Sequence, residues 1–379
     1  MKFARLTVVL LVLSVTSCGR QKEAGVRFGV ILSLTGPAAP YGTDNQKGLQ
    51  LAQEAINDAG GVNGVRVELD TQDDAGEPGQ AVGLAKRYAS DPAIIAILGP
   101  TRTGSTIAVA KLLPDLRVPM ISVGSTGDWK SAAGDFNAWT FRSTRVDTHL
   151  IEPLLTAARD ALKVHRIAAI YTANDDWSKS VMPVYEETIH KLGLELVAKE
   201  SQMTGDTDRA PQLTRIREAR PDALIINTLS SDAPTIANQA RKIGITAQLL
   251  GTAGFTNPET WKLAEPGTLD GTLMADNYYP DSPRPAVRKF VDAYRRRFKA
   301  EPASYAAYAY DGLMLAAEAA RTAKPHLTRE AFRDSFGRIS GFDGVLGTLT
   351  YSGSGDARKA PVILQIQGAK YLLFSPKPQ

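Results

Sequence analysis

The sequence has few of the residues that build disulfides, metal centres and nucleophilic active sites. Its 379 residues include one cysteine, Cys18, which excludes an intrachain disulfide and a cysteine-rich metal site. No G-x-G-x-x-G motif follows the first predicted strand, so dinucleotide chemistry lacks its usual loop. The four histidines have neither metal-ligand spacing nor a neighbouring nucleophile; they are His149, His165, His190 and His326. We therefore expect no metal, no cofactor and no enzymatic activity.

Long apolar runs and an excess of one charge are also missing. The apolar run at 8–13 is well short of the roughly 20 residues that a membrane-spanning helix needs. Lysine and arginine number 44 against 40 acidic residues, and the two signs are interspersed, which argues against nucleic acid as a partner. Hydrophobic residues at 43% and charged residues at 22% are typical of a globular protein.

The N-terminus has the layout of an export signal. Lys2 and Arg5 precede the short apolar run, and the segment ends in Val15-Thr16-Ser17-Cys18, which resembles the lipobox of bacterial lipoproteins. We expect residues 1–17 to be a lipoprotein signal peptide and Cys18 to be lipidated, which would hold the protein on the periplasmic or extracellular face of a membrane. Ordinary signal cleavage is the alternative, but the A-x-A pattern is absent. The remaining chain is long enough for two domains.

Strand and helix patterns alternate along most of the chain. Apolar strand patterns at 26–32, 65–69, 94–98 and 118–123 are separated by amphipathic helix patterns at 44–59, 78–89 and 105–113. The alternation restarts with a helix at 147–162 and a strand at 167–171. Repeated βαβ units predict two α/β lobes, each a doubly wound parallel sheet. Ligands bind such sheets beyond the carboxyl ends of the strands, here the loops 33–43, 99–105, 123–130, 172–178, 228–233 and 251–257.

Several segments, taken in order, resemble the periplasmic Leu/Ile/Val-binding protein family, the type I substrate-binding components of ABC transporters. They are SLTGP at 33–37, YG at 41–42, NDAGGVNG at 57–64, DD at 73–74, ILGP at 97–100, VPMIS at 118–122 and TFR at 140–142. The resemblance implies the type I periplasmic-binding-protein fold, in which a three-strand hinge joins two lobes. It implies a first lobe of 26–144 and 278–347, and a second of 145–277 and 348–379.

The resemblance also implies which loops hold the ligand. Thr101, Arg102 and Thr103 precede a predicted helix whose N-terminal amides attract an anion. Thr103 matches a serine that the family uses to bind a carboxylate. Plain helix capping by Thr103 or Ser105 is the alternative. Further residues match ligand-contacting or wall positions of the family: Gly124, Ser125, Thr126, Tyr41, Trp177, Leu229 and Tyr305.

The sequence departs from the family at Ala253. The family's amino-acid binders have a glutamate in this loop that pairs with the α-ammonium of the ligand. An ammonium buried without a counter-charge is costly, so two alternatives stay open. Either another acid takes the role, for which the candidates are Asp175, Asp176 and Asp232, or the ligand has no ammonium.

Transport is the function that the resemblance implies. We expect a monomer that captures a small amino acid, or a related carboxylate or amide, and delivers it to an ABC permease with its ATPase. Only the lipid anchor would touch the membrane. The alternative is a ligand-sensing receptor of the same fold, although no spanning segment or effector is seen after the binding fold.

Overall fold

The computed structural model describes residues 25–128, 137–144, 146–353, 355–356 and 361–375. The predicted signal peptide and its Cys18 lie outside the described residues. Within the described part, no helix combines the length and the apolar character needed to cross a bilayer.

The first lobe is built on a sheet of parallel strands. In chain order its strands are β1 (Val26–Leu32), β2 (Val67–Asp73), β3 (Ile94–Leu98), β4 (Met120–Ser122) and β5 (Thr140–Arg142). Their spatial order is β5-β4-β3-β1-β2. Between them lie α1 (Ala39–Asp58), α2 (Pro78–Ser90), α3 (Thr103–Ala110) and α4 (Leu113–Leu116).

Both faces of this sheet are covered. Phe28, Val30 and Leu32 pack in one hydrophobic cluster with residues of α1, whereas Ile31 packs in another with residues of α2. Successive side chains of a strand point to opposite faces, so a mostly apolar strand such as β1 is suited to the interior of a doubly wound sheet.

The second lobe repeats this arrangement and adds an antiparallel edge. Its strands are β6 (Arg166–Thr172), β7 (Glu195–Gln202), β8 (Ala223–Asn227), β9 (Gln248–Gly251) and β10 (Leu273–Asp276). Helices α5 (Thr148–Leu162), α6 (Asp176–Lys191), α7 (Ala210–Glu218) and α8 (Ala233–Lys242) connect to them. The last strands described in the chain, Val362–Gln367 and Lys370–Leu373, add to the β10 edge in antiparallel order.

After β10 the chain returns to the first lobe. It forms α9 (Pro285–Phe298), α10 (Ser304–Thr322), α11 (Arg329–Phe336) and the short hairpin β11 (Phe342–Gly344) and β12 (Gly347–Leu349). Helix α10 packs tightly on α1, where a Cβ built on Gly48 would lie 2.1 Å from the Ala306 carbonyl oxygen. A two-residue strand, β13 (Gly355–Asp356), then pairs with β5.

The chain therefore passes between the two sheets three times, as the fold prediction requires. The first two connections follow β5 and β10. Because β13 adds to the edge of the first sheet at β5, the third connection follows 356. The lobe boundaries at 144, 277 and 347 stay predictions.

Candidate ligand-binding site

The carboxyl-end loops of both sheets meet at a cleft between the lobes. Protein atoms leave about 330 Å³ of space there, part of it open to solvent. The predicted site residues that line it are Tyr41, Thr101, Arg102, Thr103, Gly124, Thr126, Trp177, Leu229, Ala253 and Tyr305. Ala38 and Asp175 also line it. Ser125, the other predicted residue, is not among the lining residues.

A row of hydroxyl groups forms the first-lobe wall. Thr103 is the first residue of α3, and its Oγ1 accepts a hydrogen bond from the buried Ser125 Oγ at 3.1 Å. Ser125 therefore holds the Thr103 side chain in place from a position outside the lining of the cleft. The capping alternative is wrong, because Arg102 occupies the N-cap position without a side-chain cap bond, and the buried Ser105 Oγ has no partner. Thr103 Oγ1 is then available to a molecule in the cleft.

Asp147 ties the two lobes together beneath the cleft. Its side chain is buried, and its Oδ2 accepts hydrogen bonds from Thr126 Oγ1 at 3.0 Å and from Trp177 Nε1 at 2.8 Å. Thr252 Oγ1 lies 3.4 Å from the same oxygen. Sequence reasoning missed this residue because an aspartate beside the start of a predicted helix looks like an ordinary cap. Its contacts fix the orientation of two lining residues.

Other contacts join the lobes directly. The Tyr41 hydroxyl accepts from the Ser230 amide at 2.6 Å and donates to the Ala253 carbonyl at 3.1 Å. Nearby, Asn257 Nδ2 donates to Asp44 Oδ2 at 2.8 Å. The Arg102 guanidinium donates to Asp175 Oδ2 at 2.6 Å. Each contact spans the two lobes, so the structure is a closed form.

Burial changes the acid–base behaviour of these bridging groups. Burial raises the pKa of Asp44 to about 7, and Lys47 opposes this rise while Glu259 adds to it. Burial likewise raises the pKa of Tyr41 far above its ordinary value. The Tyr41 hydroxyl therefore keeps its proton and remains a donor at neutral pH.

The three acids that could replace the missing glutamate all have basic partners. Asp175 is bonded to Arg102, and Asp232 pairs with the buried Arg209 at 3.1 Å. Asp176 pairs with Lys179 at 2.9 Å. Of the three, Asp175 alone lines the cleft. Within the described residues no group of three or more acids, histidines or cysteines is placed to hold a metal ion.

Two doubly wound lobes, three connections and a closed cleft lined from both sides define the class of two-lobed ligand-binding proteins. The chain belongs to the periplasmic binding protein family, whose family model matches residues 25–367. The predicted family resemblance and the type I fold are therefore confirmed.

Several similar proteins are named as binding proteins for branched-chain amino acids. The chain is 29% identical to Leu/Ile/Val-binding protein homolog 3 of Brucella melitensis over 337 residues, 88% of this chain and 89% of the relative. It superposes with a TM-score of 0.84 and 26% identity on the substrate-binding protein LivJ of Streptococcus pneumoniae in complex with isoleucine, covering 92% of this chain and 97% of LivJ. It superposes on the leucine-binding protein LivK of Thermotoga maritima with a TM-score of 0.85 and 25% identity. This superposition covers 92% of this chain and 98% of LivK.

Proposed function

We propose that this chain is the extracytoplasmic solute-binding component of an ABC transporter. In this function it captures a small amino acid, or a related carboxylate or amide, between its lobes and delivers it to a membrane permease with its ATPase. It acts as a monomer, and it binds its solute without altering it. The observation that carries the proposal is the cleft itself, where strand-end hydroxyls of one lobe face aromatic and apolar side chains of the other.

The direct contacts between the lobes support this function. Tyr41, Arg102 and Asn257 make hydrogen bonds that exist only when the lobes are together. A solute that contacts both walls of the cleft adds to these bonds, and it therefore stabilises the closed form. A permease can distinguish closed from open protein by the relative position of the two lobes, so closure reports that cargo is loaded.

The relatives support the substrate class and the location. LivJ binds isoleucine, and the Brucella relative is named for leucine, isoleucine and valine. The family is periplasmic, in keeping with an export signal at 1–17 and a lipid on Cys18 that would tether the protein to a membrane surface.

Ligand stabilisation tests the function. The domain without residues 1–18 is unfolded in denaturant, refolded to remove bound solute, and heated with amino acids, small carboxylates and amides. A ligand at about 100 times its Kd should stabilise the folded state by roughly 2.7 kcal/mol. Mass spectrometry of the recovered ligand checks that it is unchanged. Absence of stabilisation by every compound, or turnover of one, would contradict the proposal.

Uptake by cells separates transport from sensing. Deletion of this chain should abolish uptake of the identified solute, and restoring the chain should recover it. A Cys18→Ala variant tests the anchor, because it should lose the lipid and leave the membrane fraction. Unchanged uptake with an altered transcriptional response would favour the receptor alternative.

A further inference from the structure

Among the described residues that line the cleft, one is an acid and one is a base, and they neutralise each other. Asp175 Oδ2 accepts from Arg102 Nη2 at 2.6 Å, and the Asp175 side chain is 3% exposed. Asp175 Oδ1 accepts from the Ser178 amide at 2.9 Å, because Asp175 caps α6. Both of its oxygens are thus engaged within the protein. The guanidinium of Arg102 also donates to the Gly76 carbonyl.

The remaining nearby acids are also engaged. Asp176 and Asp232 have basic partners and do not line the cleft. Asp147 is buried behind the lining residues Thr126 and Trp177, which donate to it. Among the described residues, a cationic group in the closed cleft would therefore meet hydroxyls, aromatic rings and the side chain of Ala253, but no carboxylate that lacks partners.

An anion in the cleft, in contrast to a cation, would meet hydrogen-bond donors that have no partner in the described part of the protein. The first turn of α3 has amide donors that no side chain caps, and Thr103 Oγ1 stands at this turn. Ser105 Oγ, also in this turn, is fully buried and has no partner. Helix N-terminal amides and hydroxyls are good donors to a carboxylate. On the second-lobe side, the lining residues Trp177, Leu229 and Ala253 are apolar or aromatic.

We propose that the ligand is a carboxylate without an α-ammonium group, either an aliphatic or an aromatic acid. This inference rests on the solute-binding function proposed above and narrows its substrate class. The carboxylate lies at the first turn of α3, and the hydrocarbon part lies against the second-lobe wall. An amino acid with the same side chain binds more weakly, because its ammonium loses water and gains no counter-charge.

Matched ligand pairs test this inference on the refolded wild-type domain by isothermal titration calorimetry. The pairs are leucine with 4-methylpentanoate, phenylalanine with 3-phenylpropanoate, and alanine with propanoate. In at least one pair the acid without nitrogen should bind ten or more times more tightly than the amino acid. Tighter binding of an amino acid would overturn the inference and leave the proposed function intact. Absence of binding by every compound would overturn both.

Two variants test whether the lack of a counter-charge for an ammonium causes the preference for the acid without nitrogen. Arg102→Gln leaves Asp175 without its base, and Ala253→Asp adds an acid to the wall. Either one should shift the affinity ratio at least tenfold toward the amino acid of the pair. Lys191→Gln is the matched control, because it breaks the exposed Glu152 pair at the far end of α6 and should leave the ratio unchanged. A ratio that is unchanged in both test variants would contradict the inference.

Discussion

The Tyr41 hydroxyl accepts a hydrogen bond from the Ser230 amide at 2.6 Å, although the two residues belong to different lobes. Tyr41 lies in α1 of the first lobe, and Ser230 follows β8 in the second. The ring of Tyr41 also packs on that of Tyr305 at a centroid distance of 4.5 Å, and both rings line the cleft. One side chain thus forms part of the ligand wall and also links the lobes in the closed form.

Removal of this hydroxyl should weaken ligand binding while leaving the lobes folded. Tyr41→Phe keeps the ring and loses the bonds to Ser230 and to the Ala253 carbonyl. A hydrogen bond contributes about 1 kcal/mol net, so we expect roughly a tenfold rise in Kd by calorimetry. The unfolding temperature without ligand should change little.

Tyr88→Phe is the matched control for that variant. Tyr88 is buried within the first lobe and its hydroxyl donates to the Asp70 carbonyl at 2.6 Å. Its loss should lower the unfolding temperature and leave Kd unchanged. Equal effects of the two substitutions on Kd would show that the Tyr41 bridge has no special part in closure.

Thr103→Val tests the hydroxyl wall. Valine has nearly the shape of threonine, but it can neither accept from Ser125 nor bond to a ligand carboxylate. Bonds to charged groups contribute about 1.5–3 kcal/mol, so Kd should rise by roughly tenfold or more in titration calorimetry. Thr106→Val is the control on the same helix, because Thr106 donates to the Arg102 carbonyl and does not line the cleft. Wild-type affinity of Thr103→Val would remove Thr103 from the site.

Two glycine-to-alanine substitutions should change the free energy of unfolding in opposite directions, one at the contact of α1 with α10 and one on α2. Gly48→Ala would place a Cβ 2.1 Å from the Ala306 carbonyl oxygen, so the helices must separate. Overpacking of this kind costs about 1–3 kcal/mol. Gly83→Ala, in α2, meets nothing within 4 Å and should stabilise by up to about 1 kcal/mol, because alanine favours helix. Urea unfolding measures both, and equal signs would contradict the prediction.

The long apolar and amphipathic elements could be predicted from the sequence because each carries its own periodic pattern. Strands β1 and β3 have the predicted bounds. Strand β5 was missed as an element: it has three residues, and one of them, Arg142, is a fully buried charge that interrupts any apolar pattern. Helix α11 was also missed. Its eight residues are mostly polar, and contacts of Phe332 and Phe336 with the first lobe hold it.

The site could be predicted as far as the order of strands determines it. Loops that follow parallel strands must meet at one edge, so hydroxyls at 101–103 and 124–126 come together whatever the side-chain details. The partners of these side chains could not be predicted. Whether Asp175 is free or bonded to Arg102, and whether Asp147 lies under Trp177, depends on how the two lobes pack. No local pattern encodes contacts between lobes.

Ligand binding should weaken as the pH rises toward neutrality, because of the Asp44–Asn257 contact. In the closed form burial raises the pKa of Asp44 to about 7, whereas water restores its ordinary value of about 4 when the lobes open. Closure therefore takes up a proton between pH 4 and 7. It is favoured at low pH and weakened as the pH rises, with Kd increasing by up to about tenfold per unit. Asp44→Asn keeps an acceptor for Asn257 without the charge, so titrations from pH 5.5 to 8 should give a flat profile; a wild-type slope in this variant would contradict the role of Asp44.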